Sequence, residues 1–221
     1  MSLVEKYALL PEEIDRQSLS MVEAGLPDSL RLSPFERYVV CRIVRAEGDT
    51  EIAQSVRFSP GAVERGLEAL GRGADVVTDV RMVEVGISKA LLASWGISTR
   101  CSIDTPETAS RASKEGTTRS VATVRELAPH LNGAVVAIGN APTALLALLD
   151  LVNEGKADPA LVIGMPVGFV ACAESKDELI RSTVPYISIE GRRGGSSAAA
   201  ATVNALLSLM SQQNAQGPAV P

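Results

Sequence analysis

Histidine is almost absent from this sequence. One residue, His130, serves 221 positions. It lies in LAPHLNG, just ahead of the helix-stopping pair Asn132-Gly133. A lone imidazole at a helix end offers no histidine metal site and no obvious imidazole base; a place beside the last helical carbonyls accounts for it. Cysteine is scarce too. Cys41, Cys101 and Cys172 are odd in number and far apart, without zinc or redox spacing, which fits reduced thiols in a cytoplasm. No apolar run reaches the roughly 18 residues of a membrane span. The N-terminus, MSLVEKYALLPEEIDRQSL, is charged throughout and lacks a secretory apolar stretch. Basic charge is not in excess: 21 Lys and Arg against 26 Asp and Glu leave −5, the wrong sign for a nucleic-acid face. Aromatics are 3% of the chain, so the core has to be built from small aliphatic side chains that let elements approach closely.

What is present is an alternation of strand-length apolar runs and amphipathic helical stretches. SPFERYVVCRIVRA opens with Ser33 as N-cap, Pro34 at the first helical position and Glu36 closing a capping box. Ser59-Pro60 starts a second helix, PGAVERGLEALGRG, and ADVVTD reads as a short buried strand. SKALLASWG is a helix, STRCSI a strand, and TRSVATVRELAPHLNG a helix stopped at Asn132-Gly133. The second half is more regular. Strands GAVVAIG, PALVIGMP and PYISIEG alternate with helices APTALLALLDLVNEG, a stretch through VGFVACAESKDELIRS, and GGSSAAAATVNALLSLMS. Such alternation with short links predicts one α/β domain, doubly wound, with a mainly parallel sheet and helices on both faces. The tail from residue 212 to 221, QQNAQGPAVP, has no periodicity and is expected to be disordered.

Ligands of such folds sit at the carboxyl ends of the strands. The loops there are IGNAPTA, GMPVGFVACAESK and EGRRGGSS. Each joins glycine or proline to polar groups and opens a helix, where free N–H groups favour anions. Singly, each is accounted for by a tight turn. Together, with Lys176, Arg192 and Arg193, they point to a pocket for a ligand carrying several carboxylates or phosphates.

The stretches DVRMVEVGIS (79–88), TRSVA (118–122), IGNAPTALL (138–146), PVGFVACAESKDEL (166–179) and EGRRGGSSAAAATVNAL (190–206) follow one another in a specific order. They resemble the precorrin-8X methylmutase (precorrin isomerase) family of corrinoid biosynthesis, and the resemblance extends from PEEIDRQSLSMV near the start to the last helix. It implies a doubly wound α/β fold and a homodimer with its active site near the subunit interface. The implied reaction is a methyl migration between neighbouring carbons of a tetrapyrrole-derived macrocycle, giving hydrogenobyrinate or its cobalt form, with no cofactor and no metal site in the protein. The implied substrate bears many acetate and propionate side chains, which agrees with a polyanion pocket.

Protonating such a ring, or donating a hydrogen bond to it, draws electrons from it and eases migration. The resemblance gives this role to a histidine in a VxHxxGD-like motif, with an arginine three residues earlier. Here the motif runs Arg42-Ile43-Val44-Arg45-Ala46-Glu47-Gly48-Asp49: Arg42, Gly48 and Asp49 match, and Arg45 stands at the histidine position. Arginine donates hydrogen bonds and holds a fixed charge, but it does not cycle a proton. Glu47 is no simple substitute, because residues i and i+2 of a helix point apart.

The other candidate substrate-binding residues each have two readings. Arg119 opens a helix, where a cation opposes the dipole; it contacts a carboxylate or forms a surface salt bridge. Thr118 caps that helix or touches the ligand. Ser18 is a substrate-side residue or an N-cap. Lys176 reaches the ligand or lies on a solvated helix face. Asp79 caps the helix VRMVEVG and orders the pocket floor. Met82 packs in the core or against the macrocycle. One of Arg192 and Arg193 reaches the ligand, and Glu174 is a first-turn helix acid. Two rival functions remain: a non-catalytic relative that binds or carries a corrinoid, for which Arg45 is the case, and a nucleotide-binding α/β protein. The latter lacks a GxGxxG after a first strand and any GxxxxGK[ST].

Overall fold

The computed structural model describes Leu3 and residues 10–215. Two helices open it: α1 (Pro11–Gly25) and α2 (Pro34–Glu47). A 3-10 turn, Thr50–Ser55, leads to the short strand β1 (Val56–Phe58). Then follow α3 (Ala62–Gly71), β2 (Val76–Thr78), α4 (Arg81–Gly86), α5 (Lys89–Trp95) and β3 (Thr99–Arg100). Helices α6 (Pro106–Glu115) and α7 (Arg119–Glu126) precede β4 (Val135–Ile138). The chain closes with α8 (Pro142–Asn153), β5 (Leu161–Gly164), α9 (Cys172–Arg181), β6 (Tyr186–Ile189) and α10 (Ser196–Ala215).

The six strands form one sheet in the order β1-β6-β5-β4-β2-β3. Every neighbouring pair is parallel except β1 with β6, which is antiparallel. The four central strands, β2, β4, β5 and β6, are buried on both faces, so they read as continuous apolar runs, and their alternate side chains feed two separate cores. Val135 and Ala137 of β4 point to one core with α2, α3 and α10. Val136 and Ile138 point to the other, filled by Leu145 and Leu148 of α8 and Leu179 of α9. Each fully buried leucine there contributes about 1.5–3 kcal/mol. Helix α10 has so many alanines because it is covered on several sides, by the sheet, α2 and α4. Small side chains permit those approaches.

The α/β architecture is as the sequence predicts, with several local differences. Helices α1 and α6 and strand β1 are additional to the elements expected from the sequence. The strand expected over STRCSI shortens to Thr99–Arg100. The helix from Arg119 stops at Glu126 rather than at Asn132, and a 3-10 turn, Ala128–His130, follows. Pro129 inside that turn has no N–H to continue an α-helical ladder. Helix α10 runs on to Ala215, into the segment expected to be a tail. Residues 216–221 of that tail lie outside the described residues.

Candidate active site

Chain order reverses between β2 and β4: β3 lies on one side of β2, while β4, β5 and β6 extend on the other. Such a switch point opens a crevice at the strands' carboxyl ends. Asp79 stands there, directly after β2, and is 1% exposed. Its carboxylate accepts hydrogen bonds from the backbone N–H groups of Gly139 (2.9 Å), Asn140 (3.0 Å) and Ala141 (2.9 Å). Burial pushes the Asp79 carboxyl up, and those three donors oppose the rise. Asp79 therefore does not cap the helix that follows it. The N-cap of α4 is Val80, without a side-chain hydrogen bond, and Asp79 instead ties down the loop entering α8. Gly139 in that loop admits no side chain: a Cβ would lie 2.5 Å from Val83 Cγ2 and 2.8 Å from Ser196 Cα.

Thr118 caps α7 by accepting from the Val121 N–H at 3.2 Å. Its hydroxyl is also 3.4 Å from that of Thr143, at the start of α8. Both α7 and α8 thus present their first turns to the same crevice. Arg119 is exposed and forms no ion pair among the described residues. Met82, on α4, is 58% exposed and is not a core residue.

The β5–α9 and β6–α10 loops are fastened together. Lys176 is 0% exposed. Its ammonium donates to the carbonyls of Pro166 (3.2 Å) and Arg193 (2.7 Å). Burial pulls the Lys176 amine down, and the neighbouring Cys172 opposes this. The solvated-face reading of Lys176 is thereby corrected: its charge positions two loops. Gly194 has φ 140°. A Cβ on it would come within 2.6 Å of the Met165 carbonyl. Ala171, the N-cap of α9, has φ 56°, a left-handed conformation that is uncommon without glycine. On the rim, Phe169 is 82% exposed, and the Arg192 guanidinium lies 5.4 Å above its ring. Arg193 pairs with Asp49 and stands 3.8 Å from Glu51. Phe169, Arg192, Arg193, Glu47, Asp49 and Ile52 border a cavity of about 330 Å³.

Helix α2 supplies the third group. The capping box expected at its start is complete: Ser33 N–H donates to Glu36 at 2.7 Å, and Ser33 Oγ accepts from the Glu36 N–H at 3.2 Å. Its other end stops at Gly48, φ 67°. Arg45, in the last turn, pairs with Asp15 of α1. Arg42 reaches the same carboxylate, with Nη1 at 3.4 Å from Oδ1 and 3.5 Å from Oδ2, and its guanidinium lies 6.0 Å over the Tyr38 ring. Ser18 is within α1, not at its N-cap. It lies one turn beyond Asp15 on the same side of the helix.

His130 ends its 3-10 turn, exposed, and Glu174 is a first-turn acid of α9. Asp15, Thr143 and Phe169 were not singled out by sequence; only Phe169 left a signal, as an aromatic between glycine and valine in a post-strand loop. Among the described residues, no group of three or more His, Cys, Asp or Glu could hold a metal ion. A larger cleft, about 550 Å³, lies along α6 and α7. Its Arg111 is already paired with Glu115 and Glu126, and no strand end opens into it.

Residues 13–209 match the model of the precorrin-8X methylmutase family. The chain belongs to that family. It is 40% identical over 199 residues to the cobalt-precorrin-8 methylmutase of Priestia megaterium, covering 89% of this chain and 87% of the relative. With the precorrin-8X methylmutase of Pseudomonas aeruginosa it shares 41% over 202 residues, covering 88% and 94%. The solved precorrin-8X methylmutase of Thermus thermophilus superposes with a TM-score of 0.84 at 40% identity, covering 91% of this chain and 97% of that one. The sheet and the post-strand loops described above are thus those of a methylmutase fold.

Proposed function

We infer that this chain is an isomerase that moves a methyl group between neighbouring ring carbons of precorrin-8X, or of its cobalt form, in cobalamin biosynthesis. The observation that carries the reading is family membership across residues 13–209, with relatives named for both the metal-free and the cobalt substrate. One carbon–carbon bond breaks, another forms at the adjacent carbon, and the ring double bonds shift. Substrate and product are isomers, so no oxidant or reductant enters.

The protein's part is to hold a polyanionic macrocycle and draw electron density from it. Arg119, Thr118 and Ser18 bind its carboxylates, with Arg192 at the loop rim and Arg42 beside Arg45. Asp79 and Lys176 order the loops around it, and Met82 packs on a ring face. Arg45 supplies a fixed positive charge and hydrogen-bond donors where proton transfer is otherwise expected. The carrier alternative rests on Arg45 alone, and relatives named as methylmutases favour the enzyme. The chain works as a homodimer in the cytoplasm, with neither a nucleic-acid nor a membrane partner. Mixing purified protein with precorrin-8X tests the reading. Growth of the pink hydrogenobyrinate absorption supports it, and a stable unreacted complex favours the carrier.

A further inference from the structure

Two guanidinium groups, Arg42 and Arg45, converge on the single carboxylate of Asp15, which comes from a different helix. Two cations on one anion leave a positive excess. Arg42 is among the residues to which the proposed function gives the polyanionic substrate, and Arg45 shares its carboxylate partner. We propose that Asp15 is a built-in counter-anion: in the free protein it occupies the position between Arg42 and Arg45 that a macrocycle carboxylate takes on binding, and it thereby sets the affinity for the polyanion. This rests on the reading of the site given above.

Three features support the exchange. The Asp15 side chain is 42% exposed and that of Arg45 34%. Ion pairs of that exposure are worth at most about a fivefold change in an equilibrium constant, so an incoming carboxylate can replace one. Arg42 is braced by the Tyr38 ring, which keeps its guanidinium in place when the partner changes. Finally, α1 does not depend on Asp15 for its seat. Leu19 and Val22 pack on the core. Glu23 accepts from Arg37 and, at 3.0 Å, from the Cys41 thiol.

The full chain is titrated with hydrogenobyrinate, the metal-free product. Asp15→Asn should tighten binding roughly two- to fivefold and steepen its salt dependence. Adding Arg45→Gln should abolish that gain. Glu23→Gln loosens the same helix without freeing either arginine, and it should leave affinity unchanged. Weaker or equal binding by Asp15→Asn overturns the proposal, as does an equal gain from Glu23→Gln, which would make helix mobility the cause. Arg119→Ala in the same series separates the two ideas. If it weakens binding while Asp15→Asn does not tighten it, only the counter-anion fails. If neither Arg119→Ala nor Arg45→Gln affects binding, the reading of the site fails with it.

Discussion

Arg45 sets the terms at the scale of single residues. Near the end of α2, a cation complements the helix dipole, so the fold accommodates Arg45 without strain. Its chemistry is less accommodating, because a guanidinium keeps its proton through any turnover. Arg45→His should therefore raise the rate of methyl migration by roughly the 10²–10⁴-fold that general acid catalysis contributes. Single-turnover absorption measurements decide it; wild-type turnover already as fast as the variant would mean that hydrogen-bond donation suffices. Arg119 is the complementary case, an exposed cation at a helix start with no ion pair among the described residues. Arg119→Ala should weaken hydrogenobyrinate binding by about 1.5–3 kcal/mol, the range for a hydrogen bond to a charged group. Calorimetric titration showing equal affinities would remove Arg119 from the site.

Elements explain both what the sequence discloses and what it conceals. Helix α2 was legible from Ser33, Pro34 and Glu36 because a capping box is a local device. The buried strands were legible because being covered on both faces makes them continuous apolar runs. Strand β1 was not: Val56-Arg57-Phe58 is three residues long and exists through pairing with Ile187–Ile189 far along the chain. Helix α6 buries only Thr108 and Ala112, too narrow a stripe to stand out from a polar loop. The site divides the same way. Arg119, Thr118 and the glycine loops could be read from type and order, whereas Asp15 meets Arg42 and Arg45 only once α1 lies on α2. Asp79 is legible as a residue that orders the pocket, but its partner is not, since a cap on the next helix is the local option and the loop after β4 is the distant one. That distant bond is testable. Asp79→Ala leaves two buried N–H donors, those of Gly139 and Ala141, and the part-buried one of Asn140 without an acceptor, each buried one costing about 1–3 kcal/mol. A loss of roughly 3–5 kcal/mol is therefore expected, at the upper end of what single substitutions do. Chemical denaturation reads it, and a loss under about 1 kcal/mol would mean that water takes over the three donors.

At the scale of the whole molecule, stability and assembly follow from where apolar surface is hidden and where it is not. The Cys41 thiol, buried between α1 and α2, is pushed up to about 12, first by burial and then by its bond to Glu23. Because the folded form holds this proton more tightly than the unfolded chain, its contribution is complete below pH 9, the ordinary thiol value. It is lost as pH rises from there towards 12. Urea midpoints should fall between pH 9 and 11, and Cys41→Ala should flatten that slope; an unchanged slope would assign the alkaline loss to other groups. Assembly depends on the opposite kind of surface. Phe169 and Val170 are 82% and 86% exposed, side by side on a loop that Lys176 and Ala171 hold in a fixed shape. Large apolar side chains presented on a rigid loop, at the rim of a cavity, mark a surface that is covered in use. We expect a symmetric dimer with this loop in the contact, so that each cavity is closed partly by the other subunit. Sedimentation equilibrium at micromolar concentration should give twice the chain mass, and Val170→Glu should shift it towards monomer with weaker macrocycle binding. A wild-type monomer that binds hydrogenobyrinate at full strength would assign the apolar loop to the ligand's ring face instead.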